Sequence, residues 1–213
     1  MLVLKRTIFA LLCALAILLP CAPRAYAAGA DNAAQAAIVV HPETGTVLYE
    51  KNADARLGIA STTKIMTALV VLEHCALGEP VEILPEYTAV EGSSMYLAEG
   101  ETLTMEELLY GLMLPSGNDA AECIADHCGG EGGSRQFVAW MNEKAKMLGM
   151  TRTAFANPSG LDEAGHRSCA LDMARLAAYA MRDPTFTRIA STRTARVGAR
   201  TMTNHNKLLA KYP

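Results

Sequence analysis

Ser61 and Lys64 stand three residues apart in the stretch GIASTTKIMTAL, Gly58 to Leu69. If this stretch opens a helix, three residues is just under one turn, so the two side chains share a face within contact range. The serine hydroxyl would then sit over free backbone N–H groups at the positive end of the helix dipole, which favours a developing oxyanion. A lysine pressed against apolar packing has its pKa lowered towards neutrality, and Ile65, Met66, Leu69 and Val70 supply such a surface. The chemistry these residues suit is acyl transfer, with Ser61 as nucleophile and Lys64 as base. Spacing alone does not establish it, because a chain of this length holds on the order of one SxxK match by chance. The competing reading makes Ser61 a helix N-cap and Lys64 a solvated first-turn residue, although a lysine gains little at the positive end of a helix. Ser116-Gly117-Asn118, a polar triplet directly after Pro115 and between two apolar helical segments, adds a hydroxyl and an amide that could converge on the same amine. Asp119 reads as a helix N-terminal acid favoured by the dipole, and His166 as a structural histidine.

These side chains need elements to position them. Ala36–Val40 and Thr46–Glu50 are β-prone runs around a Pro- and Gly-bearing turn, which predicts an antiparallel hairpin. The helix after Ser61 is apolar nearly all round and belongs at the centre of a domain; Gly78 and Pro80 are expected to end it. Thr104 with Glu107 forms a capping-box pattern for a helix that Pro115 interrupts. A short helix from about Asp119 to His127 stops at Gly129-Gly130, and Ser134 is expected to cap the next, which Gly149 closes. Asn157-Pro158-Ser159-Gly160 is a turn cluster, a further helix runs from about Ala170 to Arg182, and Val197-Gly198 marks a ribbon turn. The order is that of an α+β protein with its helices in the middle of the chain.

At the start, Lys5 and Arg6 precede an apolar run from Ile8 to Leu19 and then Ala25-Tyr26-Ala27, the order of charge, core and small residues in a secretory signal. The run is shorter than the roughly 20 residues of a membrane span, and Pro20 weakens a lipid-attachment reading at Cys21. Residues 1–27 are therefore expected to leave as a signal peptide, placing the mature chain outside the cytoplasm. Without Lys5, Arg6 and Arg24 the chain holds sixteen basic and twenty-two acidic residues, a net −6 that argues against a nucleic-acid partner. Cys75, Cys123, Cys128 and Cys169 remain, and four cysteines permit three pairings among which sequence does not choose. A Cys123–Cys128 bond along one helix is not expected. His74-Cys75 and His127-Cys128 lack zinc-site spacing and read as buried thiols.

ASTTKIMTAL together with LMLPSGNDAA resembles the low-molecular-mass penicillin-binding proteins, the serine D-alanyl-D-alanine carboxypeptidases of the S11 type. VVHPETGTVLYEKNAD, FANPSGLDEAGHRS and TNHNKLL extend the resemblance, in the family's order, over essentially all of the mature chain. It implies a β-lactamase/DD-peptidase-like fold, a helical subdomain beside an antiparallel sheet, over residues 28–213. By the same resemblance Ser61 attacks the carbonyl between two D-alanines of a peptidoglycan stem peptide and Lys64 takes its proton. Ser116 relays a proton to the leaving amine, while Asn118 orients Lys64 and binds the substrate's backbone amide. β-Lactams would trap the same serine as covalent inhibitors, and no metal or organic cofactor is needed.

No Lys-Thr-Gly or Lys-Ser-Gly occurs in the 213 residues. The family's later sheet strands, including the one bearing that motif, and its C-terminal membrane anchor are expected to be missing from this chain. The polypeptide as written is expected to be the N-terminal part of an exported carboxypeptidase, truncated, and inactive or poorly folded, because that strand helps bind the substrate carboxylate and complete the oxyanion hole. Two rivals remain: a class A β-lactamase-like hydrolase, for which Glu163 would be the deacylating carboxylate, and a non-catalytic cell-wall binding module.

Overall fold

The computed structural model describes residues 32–211, and the expected signal segment, residues 1–27, lies outside them. Ala37–Val40 (β1) and Val47–Lys51 (β2) form the expected antiparallel hairpin, Ala37 opposite Lys51 and Val39 opposite Tyr49, with a register shift between Val39 and Val40.

A 3-10 turn over Ala60–Thr63 feeds directly into the helix Lys64–His74 (α1). Lys64 and every residue from Met66 to Val71 are buried, so α1 has almost no solvent face and lies in the middle of the core. The expected stop at Gly78 and Pro80 is corrected: α1 ends at His74, where Cys75 turns extended and is joined to Cys128 in a disulfide. The same bond corrects the reading of Cys75 and Cys128 as thiols. Cys123 and Cys169 are the free, buried ones, and Cys123 is not bonded to Cys128.

Pro80–Glu82 (β3) pairs antiparallel with Thr102–Thr104 (β4). Met105–Met113 (α2) follows with both halves of its capping box formed: Glu107 N–H donates to the Thr104 hydroxyl, and Thr104 N–H to the Glu107 carboxylate. After Pro115 the chain re-enters helix at Asn118–Gly129 (α3), which packs against Gly133–Met147 (α4). Here Ser134 is not the cap. α4 starts two residues earlier with Gly132 in the N-cap position, because Gly130 and Gly133 take left-handed conformations that reverse the chain sharply. Ala170–Ala180 (α5) and Pro184–Ser191 (α6) follow, α6 capped by the Asp183 carboxylate, which accepts from the Thr185 and Phe186 amides. Thr194–Val197 (β5) and Arg200–Thr203 (β6) close the described chain as a second hairpin, with Val197 and Met202 turned into the core.

The architecture is α+β: a helical middle around α1 with antiparallel ribbons on either side. Among the described residues the strands form three separate two-stranded sheets. No helix there is long and apolar enough to cross a membrane.

Candidate active site

Ser61 lies on the exposed side of the 3-10 turn, and the residue before it, Ala60, is held at φ +43. A non-glycine residue in that region is strained and persists only where its surroundings enforce it. The enforcement comes from the loop 156–166. Gly160, at φ +90, lies so close that a Cβ on it would be 2.0 Å from the Ala60 carbonyl oxygen and 3.0 Å from the Ser61 nitrogen. Thr67, one turn into α1, donates to the Pro158 carbonyl at 2.6 Å. His166 braces the turn from the other end. Its Nδ1 accepts the Ala156 amide at 3.1 Å, so the ring proton resides on Nε2, which donates to the Thr63 hydroxyl at 2.7 Å. Burial lowers the His166 pKa and keeps the ring neutral.

Lys64 is only 2% exposed. Its Nζ reaches Ser61 Oγ at 3.2 Å, Asn118 Oδ1 at 2.7 Å and the Ser159 carbonyl oxygen at 2.6 Å. Burial brings its pKa down to about 8, against the pull of the Glu122 and Asp119 charges. The orientation of the Asn118 amide is fixed from behind, since its Nδ2 donates to the Glu91 carbonyl at 2.7 Å and so turns the oxygen to the lysine. The Asn118 backbone N–H donates to Ser93 O at 2.7 Å. Asp119 does more than favour the dipole: its carboxylate accepts from the Met95 and Leu97 amides and the Ser94 hydroxyl, stitching the 93–97 loop to the start of α3.

Ser61, Lys64 and Asn118 are thus brought into direct contact. Ser116 is half-buried on the turn into α3 and held at φ +63, but among the described residues no hydrogen bond joins its hydroxyl to Ser61 or Lys64. Glu163 is remote from the amine in role: its carboxylate accepts from Asn157 Nδ2 at 3.0 Å at the exposed side of its loop. Two participants escaped the sequence reading. Ser159 contributes a carbonyl oxygen, which no residue-type pattern announces. Glu122 stands four residues after Asn118, a spacing that places both on one face of α3. Among the described residues no cluster of His, Cys, Asp and Glu is arranged to hold a metal ion.

The fold that holds Lys64 between the Ser61 hydroxyl and the Asn118 amide is that of the DD-peptidases and penicillin-binding proteins. The crystal structure of the Streptomyces K15 DD-transpeptidase superposes with a TM-score of 0.82 at 35% identity, covering 85% of this chain and 77% of that one. The D-alanyl-D-alanine carboxypeptidase from Mycobacterium tuberculosis H37Rv superposes with 0.83 at 34% identity, covering 89% and 73%. The chain belongs to the peptidase S11 family, D-alanyl-D-alanine carboxypeptidase, whose sequence profile matches residues 23–213. Among curated relatives, D-alanyl-D-alanine carboxypeptidase DacF of Bacillus subtilis is 37% identical over 84% of this chain and 48% of its own length. The D-alanyl-D-alanine carboxypeptidase of Streptomyces sp. strain K15 is 38% identical over 79% and 65%. This chain therefore spans between about half and two thirds of the length of these relatives.

Proposed function

We propose that this chain carries the acylating site of an extracytoplasmic serine-type D-Ala-D-Ala carboxypeptidase acting on peptidoglycan stem peptides. The observation that carries the reading is the set of contacts around Lys64 Nζ. A neutral amine has two N–H groups and one lone pair. The two short contacts go to the Asn118 amide oxygen and the Ser159 carbonyl, both of which only accept, so they use both N–H groups. The lone pair is left for the third neighbour, Ser61 Oγ, the one partner that can also donate. Lys64 is thereby oriented to take the Ser61 proton as the hydroxyl attacks the carbonyl of the penultimate D-alanine. Ser116 passes a proton to the departing D-alanine amine, Asn118 holds the substrate amide, and water then releases the shortened peptide from Ser61. Penicillins acylate the same oxygen.

The test is fluorescent penicillin incubated with the 213-residue chain, followed by peptide mapping. Against the expectation of an inactive chain that the missing Lys-Thr-Gly sets, the contacts of Lys64 predict an adduct that forms slowly, on Ser61 alone, and vanishes in S61A. Its rate is expected to rise about tenfold per pH unit below about 8 and to level off above it, because the base is the neutral amine. Adduct on another residue, labelling that survives S61A, or no adduct at any pH would sink the reading. Glu163, occupied by Asn157 at the surface, gives no support to a β-lactamase-like deacylation step.

A further inference from the structure

Glu122 belongs to none of the roles assigned above, yet it lies within the electrostatic reach of the amine that the proposed chemistry depends on. It sits one turn beyond Asn118 on the same face of α3 and is half-buried. Ser159 accepts from Lys64 Nζ through its carbonyl oxygen at 2.6 Å, while its hydroxyl donates to Asn157 Oδ1 at 3.4 Å. On its other side Glu122 lines a cavity of 270 Å³ with Ser134, Arg135, Val138, Asn157 and Pro158. The carboxyl thus stands between the site and a separate opening.

Resting on the reading that Lys64 serves Ser61, we propose that Glu122, one turn along α3 from the asparagine that holds the amine, is a positioning residue for the lysine's charge, fixing through space the pH at which Lys64 gives up its proton. Two carboxylates act on Lys64, and Glu122 acts more strongly than Asp119. The two carboxylates are held differently. Asp119 accepts from four donors, the amides of Met95, Leu97 and Ala120 and the Ser94 hydroxyl. Around Glu122, Lys64 favours the ionised form; Glu163 from the loop and Asp126 on α3 oppose it, and Arg135 of α4 lines the same cavity. Burial, with those two acids, holds Glu122 above the usual carboxylate range.

An ionised Glu122 acts on the two halves of the lysine's task in opposite senses. It keeps more of the amine protonated at neutral pH, which lowers the supply of free base. It also stabilises the ammonium that forms as Ser61 attacks, which makes each free amine a stronger base. Removing the charge while keeping the shape should therefore move the acylation profile to lower pH and lower its plateau, so that the two profiles cross. A side chain that merely packs would depress the rate at every pH.

The experiment uses the full chain as wild type, E122Q and E122D, labelled with lysine carrying 13C at the ε position, the Lys64 signal being identified by its loss in K64R. E122Q is expected to lower the Lys64 inflection by about one pH unit, the size of one carboxylate's effect a few ångströms from an amine, giving roughly tenfold more free amine below it. E122D, which keeps the charge but withdraws it by one carbon, is expected to fall between. Fluorescent-penicillin profiles of wild type and E122Q are expected to cross. An unchanged Lys64 inflection in E122Q overturns the inference whatever the labelling does. Absence of labelling in all three proteins overturns the acylation reading instead, while the lysine titration still decides whether Glu122 governs Lys64. Should E122Q not fold, the wild-type Lys64 signal must show a second, smaller inflection where Glu122 ionises, and a single inflection overturns the inference.

Discussion

A Cβ at Gly160 would lie 2.0 Å from the Ala60 carbonyl oxygen, a backbone atom that cannot move aside without moving Ser61. G160A also forces alanine to φ +90, which alone costs about 1–3 kcal/mol. The variant is expected to melt several degrees lower and to lose Ser61 labelling; wild-type melting and labelling together would refute this account of the turn. His166 gives a pH prediction. Its folded pKa is depressed by burial, so the unfolded chain binds more protons near the ordinary value of about 6.5. The stability it contributes is complete above that value and is lost as pH falls through it towards the depressed folded value. H166Q is expected to show a smaller loss of urea midpoint between pH 7.5 and 5 than wild type, and equal losses would contradict it. At this scale the sequence announced Ser61, Lys64 and Asn118 because side-chain type and helical spacing both point to them. It could not announce the Ser159 carbonyl, since every residue has one, and Glu122 becomes visible only once α3 is known to begin at Asn118.

The helices that bring these residues together are tied at their far ends. Lys64 and Asn118 open α1 and α3, and the disulfide joins Cys75, just past the end of α1, to Cys128, in the last turn of α3. The bond closes a loop of 53 residues, and loop entropy for that length gives at most about 4 kcal/mol. Reduction, or the C75S/C128S pair, is expected to lower the melting temperature clearly. Because the near ends are held by Lys64–Asn118 and by the 93–97 loop, the Lys64 titration in the reduced protein should stay near its oxidised position. A large movement there would show that the far ends set the site. At the front of α2, T104A removes a formed capping box and should cost about 1 kcal/mol, read from denaturant midpoints. That box was legible because both partners are side chains at a fixed offset. The end of α1 was not, because a tertiary bond from Cys75 overrides the local signals at Gly78 and Pro80, and the four glycines between Gly129 and Gly133 blur any local sign of where α4 begins.

Across the whole molecule, stability is distributed unevenly. The residues of α1 are surrounded: Met66, Leu69, Val70 and Val71 are all buried in one cluster that also takes in side chains of α2 to α6 and of both later ribbons. The β1–β2 hairpin stands apart from that cluster. Its main packing partner is α5, and Val39 and Leu48 are 50% and 48% exposed. A two-stranded hairpin is marginal in water unless a third strand or a helix covers it, so here one helix has to do most of that work. The β-prone runs and the turn between them that made the hairpin legible in the sequence say which segments pair, but not how much of either face is covered, because coverage is set by elements distant in the chain. Local opening free energies follow buried contact and not element type. Amides of Ala37–Val40 and Val47–Lys51 are therefore expected to exchange hydrogen orders of magnitude faster than those of Met66–Val71, with α3 matching α1 and the β5–β6 hairpin in between, since Val197 and Met202 reach the core. Hairpin amides as slow as those of α1 would mean that β1–β2 opens only when the core does, and the division between a cooperative helical centre and a weakly held ribbon would have to be abandoned.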